Sequence, residues 1–359
     1  IGGNLMKKKK LLIFTTIMTT LSLLIAGCSS STTNSSEKEE DKKVTLKLAS
    51  YFADTSPIYT AVTEPWMERV TELTEGKVEF QYFPSEQLGK AQDLLKLTKD
   101  GVADISIYPA NYFPDNMPYS HMIAGLPNLS QTSNQGTLAY RDLLQESSIL
   151  LEKDYLNNGV RPVLTHVSPP NEIWTTGEEI RVPEDLKGLK VKTAGGITSE
   201  MYESMGAVPV TISHGETYEA LDKGVIQAAN YYSMAVKSSG AEEILNYGVF
   251  PHVGSVIHGL VVNEKVWQGL SEDTQNAMIQ AGEEIMEAAG EIYNEETNKF
   301  NEEFVKNGGK IAELTKEEQE KWKEVTQEFN QSWLKKHKSE GYSYEKVLNL
   351  YKEKLEKYK

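Results

Sequence analysis

From Val44 onward the apolar positions of the chain follow two rhythms. Val44 to Ser50 (VTLKLAS) alternates apolar and polar side chains, the period of a strand with one covered face. Ile58, Val62, Trp66, Val70 and Leu73 then recur every three or four residues, which predicts an amphipathic helix that stops at Gly76. Lys77 to Phe83 reads as a strand, Leu88 to Leu97 as a helix ended by Gly101, and Ile105 to Tyr108 as a third strand. This βαβαβ order predicts a mostly parallel sheet covered by helices. A helix over Asn134 to Asn157 leads to a strand at Val160 to Val167, and the alternation then repeats. Lys190 to Thr193, Val208 to Val210 and Ile226 to Ala229 read as strands, separated by helices at Thr198 to Met205 and Glu216 to Lys223. Gly254 to Asn263 is a further β-branched strand. The last hundred residues are helical. Ser271 followed by Glu272 and Asp273 is an N-cap with acids that suit the helix dipole. Met278, Gly282, Ile285, Ala289, Ile292, Phe300 and Phe304 keep one face over about 33 residues, about 50 Å of helix, long enough to run across two domains. Thr315 with Glu318 forms a capping box, and Trp322, Val325, Phe329 and Trp333 supply the next core stripe.

The first 43 residues follow neither rhythm. Met6 reads as the initiator, Lys7 to Lys10 as a positive n-region, and Leu11 to Ala26 as an apolar run of 16 residues. That run is short for a spanning helix and right for a signal segment. It ends in Leu24-Ile25-Ala26-Gly27-Cys28, which resembles a bacterial lipobox with Cys28 as the lipidated residue. Residues 1–27 are therefore expected to be a lipoprotein signal peptide. Residues 28–43, polar and without apolar period, are expected to be a flexible tether to the cell membrane.

Charge and motifs narrow the chemistry. The formal net charge of −15 repels polyanions, so nucleic acid is not an expected partner. One cysteine excludes an intrachain disulfide and a thiolate zinc cluster, and six scattered histidines leave little room for a metal centre. No P-loop, G-x-G-x-x-G, H-E-x-x-H or G-x-S-x-G occurs, and His214-Gly215-Glu216 lacks the C-x-x-C that a zinc deaminase needs. Taken with export, this favours binding over catalysis, with no cofactor and no resident metal.

Three ordered blocks carry a resemblance. They are FPSEQLGKAQDLLKLTKDGVADISIY (Phe83 to Tyr108), PEDLKGLKVKTAGGITSEMYESMGAVPVTISHGETYEALDKGVIQAANYY (Pro183 to Tyr232), and HGLVVNEKVWQGLSEDTQNAM from His258. Over about residues 44–340 the chain resembles the DctP-like substrate-binding proteins of TRAP (tripartite ATP-independent periplasmic) transporters. The resemblance implies an α/β, two-lobed periplasmic-binding-protein-like fold with a hinge and a long helix spanning both lobes. It also implies an organic acid closed between the lobes and delivery to TRAP permease subunits in the membrane. Lobe I is expected over 44–167 plus about 253–295, and lobe II over 168–252 plus about 296–359. A receptor for an ABC importer or a sensor kinase, or an exported lipoprotein enzyme, are the competing expectations.

The same blocks nominate ligand contacts. Lys192 stands where the family usually places an arginine that forks onto the ligand carboxylate; lysine keeps the charge without the bidentate geometry. Gly195-Gly196 ends that strand and opens a helix, so free N–H groups are expected at the crevice. Tyr51 ends the first strand, Tyr108 and Pro109 end the third, and Trp174 lies where many relatives carry a second basic residue. His214 precedes a turn, and Asn230 and Tyr231 follow Gln227-Ala228, which replaces the family's Asp-Gly. A charge-assisted hydrogen bond contributes roughly 1.5–3 kcal/mol, whereas micromolar binding needs about 8 kcal/mol. Burying about 150 Å² of apolar ligand surface adds roughly 4 kcal/mol. A monocarboxylate with an apolar or aromatic body is the expected ligand.

Overall fold

Eleven strands are present among the residues that the computed structural model describes, 43–177 and 179–359. The expectations for the signal peptide, Cys28 and most of the tether lie outside the described residues. The strands are β1 (Val44–Ala49), β2 (Val78–Phe83), β3 (Ile105–Pro109), β4 (Val160–Val167), β5 (Glu172–Thr175), β6 (Lys190–Thr193), β7 (Val208–Thr211), β8 (Ala228–Tyr231), β9 (Tyr247–Val249), β10 (Ile257–Asn263) and β11 (Lys310–Ile311). They form two sheets, in the orders β2-β1-β3-β10-β4 and β11-β9-β5-β8-β6-β7.

Each sheet has a parallel core, as the strand-helix alternation predicts, but neither is uniformly parallel. β1 runs parallel to β2 and β3, and β6 runs parallel to β7 and β8. β10 lies antiparallel between β3 and β4, and β5 lies antiparallel between β8 and β9. The reason is connectivity. β4 leaves the first sheet and β5 enters the second after only residues 168–171, and residues 250–256 return the chain from β9 to β10. A strand that enters a sheet by such a short crossing has no helix in which to reverse direction, so it runs against its neighbours.

The third connection is a helix. Glu272–Lys306 spans 35 residues, capped by the Ser271 side chain on Thr274 N–H. Its first half lies on the first sheet, where Trp66 donates from its indole to the Met278 carbonyl at 3.2 Å. Its second half lies on the second sheet, where Phe300 and Phe304 pack edge-on against Trp174 at 5.8 and 5.2 Å. Gly282 permits the close approach: a Cβ there would stand 1.9 Å from the Val163 carbonyl oxygen. Val163 is the extra residue of a bulge, since Leu260 faces Leu164 and Val261 faces Pro162 across the pair. Pro162 has no N–H to give the ladder, so the irregularity falls beside it.

The helix after β3 is shorter and more broken than its pattern suggests. Ser133–Glu146 is regular, then Ser147 opens a run of tight and wide turns to Asn158. The C-terminal helix Tyr344–Lys357 packs on Ser133–Glu146, with Tyr351 donating to the Gly136 carbonyl and Gln135 to that of Leu355. Among the described residues no helix is long and apolar enough to cross a membrane.

Candidate ligand-binding site

Strand ends from both sheets converge on one cavity. The first sheet contributes Tyr51 and Phe52 after β1, Pro109, Asn111 and Tyr112 at the end of β3, and His258 on β10. The second contributes Lys192 on β6, Asn230 and Tyr231 on β8, and His214 in the loop before helix Thr217–Asp222. The crossing segments add Asn171 and Val256. The space among these side chains, counting what is open to solvent, is about 430 Å³. The two sides touch directly: Tyr112 donates to the Ile212 carbonyl at 3.1 Å, and Lys90 pairs with Glu216 at 2.6 Å.

Lys192 dominates the electrostatics. It is 3% exposed, and among the described residues its ammonium has neither a carboxylate partner nor a hydrogen bond. Nζ instead stands 4.1 Å from the centre of the Tyr231 ring and 5.8 Å from that of Tyr112. A ring face attracts a cation but does not replace the hydration that burial removes. Burial alone therefore pulls the Lys192 pKa down to about 7.

The Tyr231 ring is held under that ammonium by its hydroxyl. It bonds Thr217 Oγ1 at 2.8 Å and His214 Nδ1 at 3.1 Å, while His214 Nε2 bonds Ser238 Oγ at 3.2 Å. Both nitrogens of His214 are thus engaged, and burial followed by the Lys192 charge lowers its pKa to about 3. His258 lies beside Tyr51 and Phe52 at 6.3 and 5.8 Å between ring centres and faces His166 across the β10–β4 pair at 5.1 Å. Burial holds His166 near 3 and lowers His258 too, with its histidine neighbours adding to the shift. Two neutral imidazoles, those of His214 and His258, a lysine and a wall of aromatic rings make a largely apolar chamber with one strong charge. Among the described residues no group of three or more His, Cys, Asp or Glu could hold a metal ion.

A pH prediction follows from the histidines. The unfolded chain protonates His166, His214 and His258 below about 6.5 while the folded state keeps them neutral, so stability present above pH 6.5 is lost on acidification. The melting midpoint is expected to fall steadily from pH 6.5 to 4.5. His166→Phe, which removes one titrating ring outside the cavity, should make that fall shallower; an unchanged slope would contradict the assignment.

Of the nominated residues, Tyr51, Lys192, His214, Asn230 and Tyr231 line the cavity, and Tyr108 and Trp174 do not. Tyr108 points to the opposite face of its strand, where its hydroxyl meets Tyr155 at 2.6 Å; β3 runs one residue further, so Pro109 rather than Tyr108 reaches the chamber. Trp174 lies behind β8, its indole donating to the Tyr231 carbonyl at 2.9 Å among Phe250, Phe300 and Phe304. It supports the strand that carries Tyr231. Of the amides expected to be free at Gly195-Gly196, that of Gly195 donates to Thr193 Oγ1 at 3.3 Å, and the next one along the helix, Ile197 N–H, donates to His121 Nε2 at 3.2 Å. Gly196, at φ +54°, is needed there because a Cβ would stand 2.2 Å from that nitrogen. Phe52, Asn111, Tyr112, Asn171, Tyr232, Val256 and His258 line the cavity without having been nominated. All but His258, which lies on β10, sit within three residues of a strand end or start, a positional signal that needs the strand boundaries first.

Comparisons with known proteins agree with this geometry. Residues 48–337 match the model of the DctP family, described as bacterial extracellular solute-binding protein, family 7, and the chain belongs to that family. It is an extracytoplasmic solute-binding receptor of the TRAP type, in a family of receptors rather than enzymes. The fold matches a TRAP solute-binding protein of Rhodoferax ferrireducens in complex with copurified benzoate, with a TM-score of 0.81 and 21% identity over 88% of this chain and 98% of that one. A Bordetella bronchiseptica TRAP periplasmic solute-binding protein with bound (R)- and (S)-mandelate gives a TM-score of 0.78 at 22% identity, covering 88% of this chain and all of that one. Among curated relatives, the C4-dicarboxylate-binding periplasmic protein DctP of Rhodobacter capsulatus is 24% identical over 284 residues, 72% of this chain and 77% of that protein.

Proposed function

We propose that this receptor captures a monocarboxylate with an apolar or aromatic body between its two sheets and delivers it to TRAP permease subunits. The observation that carries the reading is Lys192, a buried ammonium with no protein counter-ion among the described residues, set in an aromatic chamber. A ligand carboxylate supplies the missing negative charge, and the rings of Tyr51, Phe52 and Tyr231 supply apolar contact. Among the described residues the chamber offers a second carboxylate no second cation, which disfavours small dicarboxylates. The benzoate and mandelate bound by two structural neighbours support the same class.

The lobes of this reading are 44–167 plus about 253–295 and 168–252 plus about 296–359, except that helix Tyr344–Lys357, expected in the second, packs on Ser133–Glu146 of the first. The crossings at 168–171 and 250–256 serve as the hinge, a motion of the kind known in periplasmic binding proteins. Cys28 carries the lipid that holds the receptor at the membrane; Cys28→Ser is expected to move the protein to the soluble fraction, and retention in the membrane fraction would remove the anchor. A thermal-shift screen of the purified protein against organic acids tests the ligand class. Ligand at about 100 times its Kd stabilises by about 2.7 kcal/mol, so benzoate, phenylacetate or branched-chain acids should raise the midpoint. Tight succinate or sialic acid binding with no response to aromatic or branched acids would overturn the reading.

A further inference from the structure

The cavity contains two polar atoms that the ligand class proposed above leaves unused. Asn111 and Asn171 are each 3% exposed and both line the chamber. Asn111 follows β3, and Asn171 sits in the crossing from β4 to β5. Their Nδ2 groups converge on one acceptor, the Ser255 carbonyl oxygen in the returning crossing, at 2.9 and 3.3 Å. That shared acceptor fixes both amides, because turning either would set its carbonyl oxygen against the Ser255 oxygen. The two Oδ1 atoms are consequently directed away from Ser255, and both are buried with no hydrogen-bond partner in the protein.

A buried carbonyl oxygen left without a donor is costly, and sites built around such atoms reject analogues that cannot satisfy them. The neighbouring side chains offer little relief. Asn230 directs its Nδ2 to Tyr202 Oη at 3.0 Å and to the Val253 carbonyl at 3.5 Å, and Tyr231 Oη is committed to Thr217 and His214. No protein donor meets either oxygen, so a ligand entering the chamber finds two open acceptors.

We infer that the ligand of this receptor is a hydroxy- or amino-substituted carboxylic acid whose O–H or N–H donates to Asn111 Oδ1 and Asn171 Oδ1. The inference rests on the reading of the cavity as an acid site and narrows it. Lys192 reads the carboxylate, the rings read the body, and the asparagine pair at the hinge reads the substituent. Because Asn111 belongs to the first sheet's side and Asn171 to a crossing, a donor between them ties the ligand to the hinge itself.

The test is isothermal titration of the purified protein with matched probe pairs: 3-hydroxybenzoate against benzoate, and mandelate against phenylacetate. At least one hydroxylated probe is expected to bind tenfold or more tightly than its unsubstituted partner. Asn111→Leu and Asn171→Leu should each shrink that ratio, which compares the two probes within the same variant. Comparable affinities within both pairs, or tighter binding of the unsubstituted member, overturn the inference and leave the acid site standing. If none of the four acids binds, the acid reading falls and this inference with it. A preserved ratio in both variants assigns the discrimination to other residues and overturns the role of the pair.

Discussion

Lys192→Ala is expected to weaken the binding of an aromatic monocarboxylate such as benzoate by roughly 10- to 150-fold, the span that corresponds to losing a charge-assisted hydrogen bond worth 1.5–3 kcal/mol. The fold should survive, because the change removes a buried ammonium that no protein carboxylate balances among the described residues. Lys192→Met, which keeps the aliphatic stem, should melt no lower than the parent while sharing the affinity loss. The wild-type protein carries its own pH signature. Unliganded, the folded state releases the lysine proton near pH 7 whereas the unfolded chain holds it to about 10.5, so this group makes the free protein more stable as pH rises between those values. An anion prefers the ammonium, so its affinity should fall above pH 7 by up to tenfold per unit, with proton uptake on binding at pH 8. Calorimetry in two buffers of different ionisation enthalpy measures that uptake. An unchanged Kd in Lys192→Ala, or a flat pH profile in the wild type, would remove the lysine from the site.

The second large effect concerns stability. In Gly282→Ala the new Cβ would fall 1.9 Å from the Val163 carbonyl oxygen, so the long helix must lift from β4 or the bulge must move. Alanine favours a helix over glycine by about 1 kcal/mol, but overpacking against backbone costs typically 1–3 kcal/mol and occasionally more. Steric conflict therefore wins at so short a distance. A net loss of about 2 kcal/mol or more is expected, a drop in melting midpoint of roughly 3 °C or more for a body of this size. Gly177→Ala, where a Cβ meets nothing within 4 Å, is the control and should leave the midpoint unchanged. A Gly282→Ala midpoint equal to that of the control would show that helix and strand do not approach as closely as described.

The sequence disclosed the parts of this molecule whose periods are strong. Val160–Val167 and the Ser271-capped helix lie where alternation and capping chemistry put them, and the Thr315–Glu318 box is present. The strands that escaped notice, β5, β9 and β11, are four, three and two residues long, too short for a period of their own. β6, β7 and β8 are no longer, but the helices that alternate with them frame their positions. The loss of the first three hid the antiparallel direction of β5 and with it the sense of the crossing that carries Asn171. The cavity was half legible for a related reason. Lys192 and Tyr231 sit on strands whose direction the pattern gives, whereas choosing Tyr108 over Pro109 depended on the last residue of β3, the least readable feature of any element. His121 as the cap of helix Gly196–Ser204 joins positions 76 residues apart, and nothing local announces it.

The unbalanced ammonium has a consequence beyond affinity. A molecule that shuts around a charge for which it carries no opposite leaves the last structural member to be brought in from outside. The cargo thereby becomes a keystone, and the shut outline is favoured when the keystone is in place. A permease that docks on that outline alone would distinguish loaded from unloaded receptors without ever touching what they carry.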